Sequence, residues 1–248
     1  MNRPRELFIA GSADDVAREA ASRLVEAASL AIAQRGRCAV ALSGGSTPRR
    51  LYTLLTQPPY CQSVDWSRVH LFFADERYVP HDHADSTVLL VRETLLAGVP
   101  VPTDNFHSMP TSSADPAQSA AEYAATLADF FGAEPPRFDL ILLGMGPDGH
   151  TASLFPGRPY DAGSVAVVQR SPKPPPTRLT LTLDAINAAR SILFLVTGAD
   201  KAATLATVFG STADDTAALP AARVMAHGGA TVWLVDREAG AEVLQHAG

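Results

Sequence analysis

Short apolar runs alternate with longer amphipathic stretches along most of this chain, and that alternation sets the expected elements. Glu6–Ala10 reads as a first strand, closed by Gly11. Ser12 stands where a helix cap is needed, with Asp14 and Asp15 in the first turn, where the helix dipole favours acids. Val16, Ala20, Leu24, Ala27, Leu30 and Ala31 then recur at helical spacing as far as Gly36. Residues 37–42 (RCAVAL) predict a buried strand. A second helix follows, with Thr47 as cap, Pro48 at its first position and Leu51, Leu54 and Leu55 as its apolar face. Residues 68–74 (RVHLFFA) predict a third buried strand. Next come a helix over 86–96, a short strand over 105–109, and a helix from the Asp115 cap and Pro116 to Phe131.

Residues 138–143 (FDLILL) carry one charge, Asp139, and suit a strand buried on both faces of a parallel sheet. Farther on, 165–169 predict a short strand and 179–183, alternating Thr with Leu, a half-buried one. A short helix over 184–189, buried strands over 191–197 (SILFLVT) and 231–235, and a C-terminal helix complete the pattern. No repeat or linker interrupts it. The expected fold is α/β: a single doubly wound, mostly parallel sheet with helices on both faces (Rossmann-like), one domain over 1–248.

Composition narrows the function more than the fold. With 248 residues, 46% of them hydrophobic, the chain can bury a sizeable core. Its net charge of −6 and lack of a basic block argue against nucleic acid as a partner. No run approaches the ~20 apolar residues of a membrane helix, and the first residues lack the apolar core of a signal peptide. Two cysteines, Cys38 and Cys61, lack metal-ligand spacing and fit a reducing compartment. The expectation is a soluble, cytoplasmic protein with no membrane partner, and a monomer.

The chemistry concentrates where expected strands end. Gly144, Gly146 and Gly149 crowd together after the 138–143 strand, around Asp148 and His150. Glycines there let a ligand approach the backbone, and in open α/β sheets ligands sit at the strands' carboxyl ends. His150 is the side chain whose ordinary pKa lies nearest neutrality, and Asp148 can orient its ring. After the second strand comes SGGST, Ser43, Gly44, Gly45, Ser46 and Thr47, at a helix start whose amides and hydroxyls suit a phosphate. The GK[ST] ending of a Walker loop is missing, as is GxGxxG, so no nucleotide is expected. The third strand ends in Asp75-Glu76-Arg77, which places Asp75 and Arg77 near His150. Two further segments bring cations: the stiff SPKPPPTR run carries Lys173 and Arg178, and Lys201 sits in a helix's first turn, against the dipole. His81, Asp82 and His83 lack a third ligand, so no metal and no cofactor is expected.

Taken together, SGGSTP (43–48), ADER (74–77), GPDGHTASLFPG (146–157), SPKPPPTRLTLTL (171–183) and TGADK (197–201) closely resemble the 6-phosphogluconolactonase family over nearly the whole chain. That resemblance implies hydrolysis of a small-molecule sugar-phosphate lactone, 6-phosphoglucono-1,5-lactone, to 6-phosphogluconate in the pentose phosphate pathway, without a metal. It implies that the phosphate sits on the amides and hydroxyls of Gly44 to Thr47, with charge from Lys201 and one or both of Lys173 and Arg178. His150, oriented by Asp148, would serve as general base. Arg77 or nearby amides would meet the oxyanion, and Asp75 would hold a sugar hydroxyl or Arg77.

The fold-related glucosamine-6-phosphate deaminases carry a glutamate five residues after the loop histidine, and tend to carry an aromatic residue at the position of Arg77. Phe155 and Arg77 here both favour the lactonase. A sugar-phosphate-sensing domain of a transcription regulator is the reading from another class. It needs a helix-turn-helix ahead of the domain, for which a strand starting at Glu6 leaves no room.

Overall fold

The apolar runs assemble by parallel pairing. In the computed structural model, which describes residues 5–132, 135–159, 162–210 and 219–246, β1 (Glu6–Ala10) leads into α1 (Ala13–Arg35), then β2 (Cys38–Leu42), α2 (Ser46–Leu55) and β3 (Val69–Phe73). The chain continues through β4 (Asp75–Arg77), α3 (Thr87–Val91), α4 (Pro116–Phe131), β5 (Leu140–Leu143), β6 (Val165–Val168) and β7 (Arg178–Leu181). It closes with α5 (Leu183–Asn187), β8 (Ser191–Val196), α6 (Ala202–Gly210), the short helix Pro220–Arg223, β9 (Ala230–Asp236) and the helix Ala241–His246. A six-stranded sheet in the order β1-β9-β8-β5-β2-β3 forms the centre, with every pair parallel. From β2 the chain winds to one side through β3, and from β5 to the other through β8. The switch point therefore lies between β2 and β5, where open α/β sheets bind ligands.

Helix covering on both faces explains why β2 and β5 are buried at every residue. Each fully buried Leu or Ile there contributes about 1.5–3 kcal/mol. Phe194 and Trp233, opposite each other on β8 and β9, stack with centroids 3.7 Å apart. Helix α1 begins where Ser12 accepts from the Asp15 amide and ends at Gly36, whose φ of 76° suits glycine. Its buried stripe runs through Ala28, whereas Leu30 is 54% exposed, so the expected stripe is displaced by part of a turn.

A second sheet was not expected. β4, β7 and β6 pair antiparallel, apart from the main sheet. The chain leaves the main sheet at Ala74, whose amide donates to Leu42 O while its carbonyl accepts from the Leu181 amide, both at 2.7 Å. β7 is buried at every residue, which corrects the half-buried reading of the Thr-Leu alternation: the polar Thr180 is covered too, its Oγ1 accepting from the Ser153 amide in the loop after β5 at 3.2 Å. The strand expected over 105–109 reduces to a single bridge between Leu71 and Phe106, because residues 103–105 already form a 3-10 turn. Thr47 is not the cap of α2. Gly45 holds that place with no side-chain hydrogen bond, and Thr47 instead bonds Thr197 Oγ1 at 2.8 Å.

Candidate active site

Four neighbouring strands, β8, β5, β2 and β3, deliver their carboxyl ends to one side of the sheet. The loops that follow enclose a cavity of about 370 Å³. Of the residues singled out from sequence, Ser43, Gly44, Gly45, Ser46, Thr47, Asp75, Arg77, Gly144, Gly146, His150, Lys173, Arg178 and Lys201 line it. Asp148 and Gly149 are not part of the lining, and Asp148 is bonded to His150.

Asp148 Oδ1 lies 2.5 Å from His150 Nδ1. An ionised carboxylate only accepts, so Nδ1 carries the proton and Nε2 is left to accept one. Burial disfavours the imidazolium and outweighs the pull of Asp148, so the His150 pKa lies below its ordinary value. For Asp148, burial alone raises the pKa. The hydrogen bond from His150 and the charges of His150 and Lys173 overcome it, and the net shift is downward. The pair therefore holds a neutral imidazole against an ionised carboxylate. Phe155 stacks on the imidazole at 4.8 Å and is itself buried, which dries one ring face. Gly146 is required here: a Cβ on it would lie 2.0 Å from His150 Nδ1 and 2.5 Å from Asp148 Oδ1.

Strand alternation separates the DER residues. Asp75 and Arg77 share the cavity face, and Glu76 turns the other way. Glu76 is fully buried and accepts from the amides of Arg77, Thr87 and Val88 at 2.7–2.9 Å and from Ser86 Oγ at 3.0 Å. It thereby fixes the start of α3 behind the site. Asp75 accepts from Ser153 Oγ at 2.7 Å. Arg77 donates to Thr87 Oγ1 at 3.2 Å and crosses Gly44, where a Cβ would come within 2.5 Å of its guanidinium. Arg77 and Arg178 lie directly opposite in the β4–β7 register. Like charges so placed repel unless an anion joins them.

The cations arrive by different routes. Arg178 is buried; its guanidinium donates to the carbonyls of Lys173 at 3.2 Å and Pro174 at 3.0 Å, so it organises the proline-rich loop that carries Lys173. Lys173 Nζ is 3.9 Å from Asp148 Oδ1. Lys201 pairs with Asp200 on a turn pinned by Asp236, whose carboxylate accepts from the Gly198 amide at 3.1 Å. At α2, the missing side-chain cap leaves first-turn amides open to an anion.

Sequence reasoning missed several supports. Tyr52 is fully buried; its hydroxyl donates to Ser43 O at 2.8 Å and accepts from Ser43 N at 3.2 Å. The site's Thr197, Ser153 and Thr87 were also missed, since a lone Ser or Thr carries no sequence signal. Among the described residues no group of three or more His, Cys, Asp or Glu is arranged to hold a metal. His81 bonds Met109 O at 2.8 Å, and His83 lies 3.7 Å from Asp85 within its own loop.

The family model described as glucosamine-6-phosphate isomerases/6-phosphogluconolactonase matches residues 11–233. Among curated proteins, the 6-phosphogluconolactonase of Synechocystis sp. is 45% identical, covering 85% of this chain and 86% of its own. That of Nostoc sp. is 44% identical over 86% and 88%. Among solved structures, 6-phosphogluconolactonase from Trypanosoma cruzi superposes with a TM-score of 0.85 at 29% identity, covering 98% of both chains.

Proposed function

The chain belongs to the glucosamine-6-phosphate isomerase/6-phosphogluconolactonase family, and from that premise we propose how its crevice works. The protein is a 6-phosphogluconolactonase, hydrolysing 6-phosphoglucono-1,5-lactone to 6-phosphogluconate. The observation that carries the mechanism is the neutral His150 held by Asp148 at one end of a crevice whose other parts gather an uncapped helix start and several cations.

The 6-phosphate docks on the amides and hydroxyls of Gly44 to Thr47, with Lys201 as a point charge. His150 Nε2 takes a proton from water as the water oxygen attacks C1, giving a tetrahedral oxyanion. Arg77 lies on the wall where that charge develops and stabilises it. When the intermediate collapses, the C1–ring oxygen bond breaks, and the imidazolium returns its proton to the departing oxygen. Asp148 keeps Nδ1 protonated throughout and balances the transient imidazolium. Asp75, held by Ser153, is available to a sugar hydroxyl. Arg178 works chiefly through the loop, presenting Lys173 to the crevice.

In the deaminase branch a glutamate stands five residues after the loop histidine. Here that place is Phe155, packed on the imidazole, so the second carboxylate of ring opening is missing. The discriminating experiment offers freshly generated 6-phosphogluconolactone and, separately, glucosamine 6-phosphate. Lactone loss above the spontaneous rate without ammonia release supports the proposal. Ammonia release with no lactone turnover overturns it.

A further inference from the structure

At the opposite end of the sheet lies a basic cluster that the lactonase chemistry does not use. Arg37 directly precedes β2, Arg190 directly precedes β8, and Arg137 lies just ahead of β5. Because β8, β5 and β2 are neighbours, these arginines stand side by side at the amino ends of the strands. Arg35, the last residue of α1, joins them. All four line one cavity of about 280 Å³, together with Phe130, Phe131 and, among the described residues, a single carboxylate, Asp139.

That carboxylate is already committed. Asp139 is 9% exposed and lies 2.9 Å from Arg35 Nη2 and 3.4 Å from Arg190 Nε. Its other oxygen accepts from the Ala39 amide at 2.8 Å. Arg190 Nε is buried without a hydrogen-bond partner. Arg37 lies on the Phe130 ring, 3.9 Å from its centroid, and donates to Phe130 O at 2.8 Å. Only two of the four guanidinium groups, those of Arg35 and Arg190, thus reach the carboxylate, in a chain whose overall charge is −6. Burial and then the charges of Arg137 and Arg35 push the Arg190 pKa down, as expected of cations awaiting an anion.

We infer that this cavity is a second anion site, for a compact polyanion bearing phosphate or carboxylate groups. Guanidinium forks match both groups bidentately. The distance favours independence from catalysis: Asp139 and Gly144 bracket β5, five residues or about 16 Å apart along the strand.

The test is calorimetric titration of the whole protein with inorganic pyrophosphate, and separately with citrate, at low ionic strength and with saturating 6-phosphogluconate occupying the catalytic crevice. The comparison is with Arg37→Ala/Arg137→Ala, whose side chains lie on the surface; unchanged lactonase turnover verifies that the variant folds. The inference predicts saturable binding of at least one probe, weakened tenfold or more in the variant and by added salt. Pyrophosphate alone would mark a phosphate site, and citrate alone a carboxylate site. Absence of binding by both probes, or binding that the double variant leaves unchanged, would overturn it.

Discussion

Replacing Asp148 by Asn tests the electrostatic design of the site, because it keeps the shape and removes the charge. The asparagine amide can donate to Nδ1, which then favours the tautomer protonated on Nε2, the nitrogen the mechanism needs as a base. The substitution also removes the charged hydrogen bond from Nδ1–H to the carboxylate that holds the working tautomer, worth about 1.5–3 kcal/mol, or one to two decades in rate. Asp148 is 37% exposed, so solvent screening places the loss in the lower half of that range, about ten- to fiftyfold in kcat. The pH profile supplies an independent sign. Burial lowers the His150 pKa while Asp148 raises it. The wild-type acid limb should therefore lie below the ordinary histidine value of about 6.5. Losing Asp148 should move that limb to still lower pH even as the plateau falls. Continuous assay of 6-phosphogluconate formation from pH 5 to 8, with the uncatalysed rate subtracted, reads both effects. An unchanged plateau, or a limb that moves upward, would refute the reasoning.

Three further outcomes follow from other contacts. Gly146→Ala places a methyl against both members of the His150–Asp148 pair, and an ångström of displacement is enough to lower kcat about 10²-fold; a variant of normal kcat would contradict that packing. Lys201→Ala should raise KM for the phosphorylated lactone about tenfold or more and leave kinetics on unphosphorylated gluconolactone unchanged; equal effects on both substrates would remove Lys201 from the phosphate. Glu76→Gln puts an amide group among the donors that Glu76 now satisfies, and a cost of about 3 kcal/mol should lower Tm by roughly 6–12 °C. Differential scanning calorimetry showing an unshifted Tm would argue against Glu76 as the acceptor that holds the first amides of α3.

The legible parts of this protein were those encoded locally. Buried parallel strands write themselves as continuous apolar runs, so β2, β5 and β8 and the loops at their ends could be read directly, and His150, Asp148 and the 43–47 turn with them. The second sheet was illegible because it depends on pairing β4 with β7 across about a hundred residues, and nothing within either segment names its partner. Glu76 was hidden for the same reason: in sequence it is one more charge in DER, and only the return of α3 makes it a buried cap. Thr47 misled because it sits where a cap belongs, while its hydroxyl is drawn to Thr197 at the end of β8, across β5. Arg178 looked like one more cation, and its bonds to the proline-rich loop became visible only when that loop folded back on it.

The central claim is that the imidazole of His150 is the base. His150→Asn keeps a polar group beside Asp148 but cannot take a proton from water. The direct measurement is hydrolysis of freshly generated 6-phosphogluconolactone by wild type and His150→Asn side by side, with spontaneous hydrolysis subtracted. The account predicts that kcat falls by about 10²–10⁴ in the variant while KM stays within a few-fold. Turnover by His150→Asn close to that of wild type would contradict it.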